Sequence, residues 1–167
     1  DELVATWGNL VNRVLSMVHR ICDPEVPAPD GRTADDLALL AVVDEAIEHV
    51  GGQINRVELR AGIRTGIETA AAVNAYLNAT EPWKLAKSDP DRARVVLATA
   101  LAAVGGVRVA LSPYLPFSTD LLEGVFGEVE SWARVEPVPG TPVDKPSPMF
   151  VKVDLAELLA DEPADDA

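Results

Sequence analysis

Between Leu3 and Ile21 apolar side chains return every three or four residues. Leu3, Trp7, Leu10, Val14, Met17 and Ile21 form the stripe, and Val11 and Val18 widen it. That spacing puts them on one helix face and predicts a helix over 1–22. Asp1 and Glu2 suit its positive end. The opposite face carries Asn9, Asn12, Arg13, Ser16 and Arg20. Gly8 costs about 1 kcal/mol against Ala in a helix interior, so its small size predicts a close contact. Three prolines and Asp30-Gly31 make residues 23–34 a loop. A helix over about 35–50 follows, capped by Thr33 or Asp35 and ended by Gly51-Gly52. Its inward positions are Leu37, Leu40, Val43 and Ile47.

Residues 53–80 predict a second long helix, with Ile54, Val57, Ala61, Ile67, Ala71 and Tyr76 near helical spacing. It stops at Glu81-Pro82-Trp83 and restarts as Lys84-Leu85-Ala86-Lys87. Proline removes a backbone donor and breaks the helix, so the aromatic ring behind it can leave the helix face. Ser88-Asp89-Pro90-Asp91 starts a helix over about 90–111, rich in Ala, Val and Leu and expected to be the most buried. Gly105-Gly106 predicts a bend or a close crossing in it. A short amphipathic helix over 116–127 carries Leu121, Leu122, Val125 and Phe126. Prolines at 137, 139, 142, 146 and 148 make residues 131–149 an extended surface chain. Met149–Val153 alternates as a short strand or an anchor, with Phe150 inserted in an apolar notch. A last turn or two of helix is expected at Asp154–Leu159, and disorder from Glu162 onward. The sum is an all-α fold, an antiparallel bundle of about five helices with an extended C-terminal arm.

At 167 residues the chain suits one domain. Its net charge of −13 argues against a generic polyanion binder. The charge is uneven: Asp154, Glu157, Asp161, Glu162, Asp165 and Asp166 crowd a tail with no Lys or Arg. A single cysteine, Cys22, excludes an internal disulfide and suits a small core residue. No apolar run is expected to span a membrane and no signal peptide opens the chain, so cytoplasm is the expected compartment. A start at Asp1, without an initiator Met, suggests a piece of a longer protein.

The catalytic inventory is poor. There is no Gly-rich phosphate loop. His19 and His49 lie in unrelated contexts without ligand-spaced partners, and no carboxylate pair stands out, so catalytic residues and a metal site are expected to be none. Recognition chemistry is better supplied. Asn9 and Arg13 lie four apart and share a helix face. Together a guanidinium fork and an amide can read a nucleobase edge, each contact typically contributing about 1–3 kcal/mol of discrimination. Trp83 offers a stacking surface of similar value, about 1–3 kcal/mol per base. A structural reading competes: Arg13 paired with Glu2 or another carboxylate, Asn9 capping a helix end, Trp83 in the core. Arg56, Arg60 and Arg64 repeat every four residues as a basic ridge, read first as paired with Glu48, Glu58 or Glu68.

Four phrases carry a resemblance. Gly8-Asn9-Leu10-Val11-Asn12-Arg13 resembles the opening of the anticodon-binding helix bundle of methionyl-tRNA synthetases. Asn74-Ala75-Tyr76-Leu77-Asn78, followed by Glu81-Pro82-Trp83-Lys84-Leu85-Ala86-Lys87, resembles a second phrase of that family. Leu111–Ser118 (LSPYLPFS) and Lys145–Phe150 (KPSPMF) are similar to a third and fourth, in the family's order. The resemblance implies that Asn9, Arg13 and Trp83 surround a cytosine, the first anticodon base, with Asn12 and Arg20 towards the other bases or the backbone. Implied partners are the CAU anticodon loop of tRNA(Met) and a catalytic domain of the same polypeptide. ATP with Mg belongs to that domain; no cofactor is expected in this chain, which lacks the family's HIGH and KMSKS motifs and zinc knuckle. The implied division is a bundle over 1–130, a Pro-rich arm over 131–160 packing back on the enzyme, and an acidic disordered tail over 161–167. Trp7 departs from an aliphatic expectation and Gly105-Gly106 is unusual in its helix. The anticodon bundle of another class I synthetase, and a helical protein–protein docking module, are the alternatives.

Overall fold

Seven helices carry the chain in a computed structural model that describes residues 4–150. After one wide turn at Val4–Gly8 come α1 (Asn9–Ile21), α2 (Ala34–Asn55), α3 (Leu59–Thr80), α4 (Pro82–Ser88), α5 (Pro90–Leu111), α6 (Pro116–Asp120) and α7 (Glu123–Phe126). The expectations for Asp1–Leu3, for Val151–Val153 and for everything beyond them lie outside the described residues. Short links between long helices give antiparallel neighbours. The axis is α5, in contact with α1, α2, α3 and α4, and every residue from Val96 to Leu111 is buried. This helix corrects one expectation: it is long and apolar enough to cross a membrane, about 33 Å at 1.5 Å per residue. Its apolar surface is spent on the bundle, with 89% of the most apolar window buried, as befits a core helix.

Close approaches explain the glycines. A Cβ on Gly106 would stand 2.2 Å from Val43 Cγ1, and one on Gly105 would stand 2.9 Å from the Phe126 ring. Of the two outcomes read from this pair, the close crossing is the one seen, and α5 runs on as unbroken helix. Gly8 is filled in the same way by Phe150, 2.7 Å from where its Cβ would lie. Gly51-Gly52 does not end α2, which continues to Asn55. The Trp132 indole occupies the space beside Gly51 and donates from Nε1 to the Ile47 carbonyl at 2.8 Å. The break comes instead at Arg56–Glu58, where Val57 takes a left-handed φ of 61°.

The inward faces also differ from expectation. Val57 is 78% exposed and Leu37 56%; Ala71 also faces solvent. The buried face of α3 is Gly62, Gly66, Thr69, Ala70, Val73 and Leu77. Small residues build this seam because Tyr114 packs over Gly62 and Leu111 over Gly66, so periodicity weighted to large side chains misplaces it. The expected helix over 116–127 is two short ones, with Leu122 and Phe126 buried and Leu121 exposed. Trp7 is fully buried and enlarges the core. Burial pushes the Cys22 thiol up to about 11, despite the Arg94 charge nearby, and keeps it inert at neutral pH.

Residues 127–150 run extended over the bundle. Val26 and Val143 donate to Thr141 and Pro24 carbonyls at 2.9 and 2.8 Å, tying this segment to the 23–26 loop. Arg134 forks onto Asp44 of α2 at 2.8 and 3.1 Å, and Arg32 forks onto Glu136 at 2.8 Å twice. Burial raises the Glu136 pKa, but these two arginines outweigh it and hold the carboxyl below its ordinary value.

One carboxylate fixes the helix ends. Asp36, in the first turn of α2, is fully buried. It accepts the Thr33 amide at 2.8 Å, the Tyr76 hydroxyl of α3 at 2.5 Å, and both Nη of Arg92 of α5 at 2.6 and 2.8 Å. Burial pushes its pKa up; hydrogen bonds from Arg92, Tyr76 and Thr33 outweigh that and lower it well below the usual carboxylate range. Asp36→Asn leaves Arg92 without its counter-charge and should cost about 3 kcal/mol in urea unfolding at pH 7. Because the folded pKa is depressed, this contribution is complete above the unfolded value of about 4 and disappears as pH falls through the folded value. Wild-type stability should therefore fall more steeply below pH 4 than that of Asp36→Asn.

Candidate nucleic-acid interface

The candidate site forms where the polar face of α1 meets the C-terminal end of α3 and the restart at α4. Glu81 makes the corner. It closes α3 and opens α4 in a left-handed conformation, φ 46° and ψ 57°. Pro82 follows at the first position of α4, where its missing amide is unneeded. The corner turns Trp83 towards α1. The Arg13 guanidinium carbon lies 5.0 Å from the centroid of the Trp83 ring, a cation–π distance.

Arg13 is also held from α3. Its Nη2 donates to Asn78 Oδ1 at 2.8 Å, and its Nη1 reaches Asn74 Oδ1 at 3.5 Å. Asn74 in turn donates to its own helix at Ala70 and to the Thr6 carbonyl, at 3.4 and 3.5 Å. The Asn78 hydrogen bond is exposed and the Asn74 one part-buried and long, so they contribute at the low end of about 0.5–1.5 kcal/mol each, and an exposed cation–π contact adds about 0.5–1. Together they offset much of the roughly 2 kcal/mol of rotamer entropy an arginine carries, so the fork is oriented in part before any ligand arrives.

Of the residues read from sequence, the fold brings Arg13 and Trp83 into contact. Asn9 begins α1 one turn before Arg13 and is exposed. Asn12 accepts the Ser16 hydroxyl at 3.1 Å. Arg20 lies about 10 Å further along α1, exposed and without an ion pair among the described residues. Arg13 does not pair with a carboxylate among the described residues, and Trp83 is only half-buried against the core. Sequence reasoning missed Asn74 and Asn78 as site residues. The signal was present: an i, i+4 pair of amides inside the second family phrase. The paired reading of the arginine ridge holds at Arg56 alone, and the ridge does not lie on one helix. Arg56 lies off the end of α2 and pairs with Glu58 at 3.0 Å, whereas Arg60 and Arg64 stand on α3 and pair with no carboxylate among the described residues.

The fold defines the class first: an all-α bundle with a polar cluster where three of its helices converge. A family model for the anticodon binding domain of methionyl tRNA ligase matches residues 26–158. The chain belongs to that family. Methionine–tRNA ligases of Kineococcus radiotolerans and Corynebacterium jeikeium are 35% and 37% identical to it, over 97% and 94% of this chain. It spans 32% and 33% of those relatives, about a third of their length. The apo methionyl-tRNA synthetase of Mycobacterium tuberculosis superposes with a TM-score of 0.81 at 26% identity, over 92% of this chain and 33% of that one. Asn9, Asn12, Arg13 and Arg20 precede the family match, yet lie within the stretch covered by the curated relatives.

The corner at Glu81 gives a test of this geometry. A left-handed backbone costs an L-residue about 1–2 kcal/mol, and glycine adopts it freely. Glu81→Gly also gives up an exposed ion pair with Lys84, a contact of little value, and adds chain entropy to the unfolded state. The net expectation is a stabilisation of about 0.5–1 kcal/mol in urea unfolding; a loss of stability would show that the corner is held by the Glu81 side chain.

Proposed function

We propose that this chain reads the first base of a CAU anticodon, as the tRNA-selecting part of a methionine–tRNA ligase. The observation that carries this reading is the meeting of Arg13 and Trp83, from helices 70 residues apart in sequence, with Asn78 bracing the guanidinium. Asn9, Arg13 and Trp83 are the proposed contacts, with Asn12 and Arg20 towards the neighbouring bases or the backbone. The chemistry suits cytosine. Its Watson–Crick edge offers two acceptors beside one amino donor. An arginine fork supplies donors to the acceptors, and an asparagine carbonyl accepts from the amino group. Uracil replaces the amino group with an acceptor and the ring acceptor with a donor, so the same side chains are mismatched. The indole supplies the stacking surface on which an unstacked loop base rests.

Joining methionine to tRNA(Met) with ATP and Mg then falls to a catalytic domain of the same polypeptide, in the cytoplasm. In this reading the bundle spans 1–130, the arm over 131–160 braces it against that domain, and the acidic tail follows. Seating of Phe150 over Gly8 supports an arm that packs back on the bundle, because it anchors the chain beside the first residues of the site.

Equilibrium binding of RNA anticodon stem-loops tests the assignment. A CAU loop should bind this chain about tenfold or more tighter than a UAU loop, the discrimination of one well-made base contact. Trp83→Ala should weaken the CAU loop and abolish the difference. Equal affinity for both loops, unchanged in Trp83→Ala, would sink the proposal.

A further inference from the structure

Charge is partitioned in this protein. Of the chain's 27 carboxylates, α1, α3 and α4 hold one, Glu68, whereas they carry six of its 14 Lys and Arg residues. These are the three helices that build the candidate interface. Most other cations are committed: Arg32 to Glu136, Arg92 to Asp36, Arg94 to Asp23, Arg134 to Asp44. Arg60 and Arg64 are not. Both are exposed on α3, and neither reaches Glu58 or Glu68 within ion-pair distance among the described residues.

Their direction on the helix matters. Arg60 and Asn78 are 18 residues apart, which is five full turns, so they share one azimuth and stand about 27 Å apart. Arg64 sits about 40° from that line, roughly 21 Å from Asn78. Ala71 and Ala75, small and exposed, lie between them and Asn78. The guanidinium pair is therefore in line with the Arg13–Asn78 cluster, along an open helix face. It is too far away to touch the same nucleobase. In a protein of net charge −13, two exposed arginines that have no ion pair among the described residues, on helices with so little negative charge, attract anions locally.

We infer that Arg60 and Arg64 form a second RNA contact, binding backbone phosphates of the anticodon stem while the Arg13–Trp83 cluster holds the loop. This rests on the anticodon reading above. The occupant follows from charge complementarity and from continuity of the face with that cluster: RNA gripped by a loop base at one end of α3 carries its phosphates past the other. Such contacts set register and add affinity without reading sequence.

The test compares the wild-type chain, Arg60→Gln/Arg64→Gln and Arg60→Lys/Arg64→Lys, each with CAU and UAU stem-loops bearing a full stem, from 50 to 200 mM salt. Each phosphate contact contributes about 0.7–0.9 to the salt slope. The Gln pair should show a slope shallower by about 1.4–1.8, so its deficit against wild type shrinks roughly tenfold across that range. Both loops should lose affinity equally, leaving the CAU:UAU ratio intact, and the Lys pair should keep most of the wild-type slope. Both positions are exposed, and an unchanged urea midpoint verifies that the fold is intact. A wild-type CAU preference with an unaltered slope in the Gln pair overturns the phosphate contact alone. Absence of a CAU preference in wild type overturns the anticodon reading, and this inference with it. A change in the CAU:UAU ratio in the Gln pair also overturns it, since that would make the pair part of base reading.

Discussion

The buried Asp36 carboxylate is the interaction on which the rest of the architecture depends. It takes hydrogen bonds from the start of its own helix, from Tyr76 near the end of α3 and from Arg92 in the first turn of α5. Three helix termini are thereby locked at one end of the bundle. Tyr76 lies between Asn74 and Asn78, and the left-handed corner at Glu81 follows one turn later. A shift of α3 at Tyr76 would move both asparagines and the Trp83 ring together. A fully buried carboxylate is tolerated because Arg92, Tyr76 and Thr33 replace the water it gave up; in return it allows little slack in the position of the site.

Missing side-chain volume serves the same end. Gly62, Gly66, Gly105 and Gly106 let α3, α5 and α2 approach until Leu111, Tyr114, Val43 and Phe126 fill what a Cβ would occupy. The extended segment then closes the outer side of α2, with Trp132 over Gly51 and Arg134 on Asp44. Phe150 over Gly8 extends this closure to the first turn of the interface. Among the described residues α1, α3 and α4 carry a single carboxylate, Glu68, against six Lys and Arg, which leaves them as a face of locally positive character. Net charge alone argued against nucleic acid; its distribution over the fold reverses that local conclusion.

Within the site, preorganisation takes the place of depth. Arg13 is half-buried and has no ion pair among the described residues. It is held by amide oxygens on one side and an indole on the other. Neutral partners orient the guanidinium and leave its full charge for a ligand, whereas a carboxylate would have neutralised it. An asparagine pair is thus a better brace here than an aspartate would be.

The sequence by itself determined the all-α class, the proline corner before Trp83, the most buried helix, and the family through its four phrases. Each of these is a local signal: a period, a missing amide, a contiguous string. Tertiary structure decided that α2 runs through Gly51-Gly52, where the distant Trp132 indole fills the space beside Gly51. It also decided that Leu37 faces water while Asp36 is buried, because the partners that make such burial tolerable lie 40 and 56 residues away. The contact of Arg13 with Asn78 and Trp83, and the absence of an ion pair at Arg60 and Arg64 among the described residues, are likewise properties of helices brought side by side. Spacing along a chain states which residues share a face; it does not state what that face will meet.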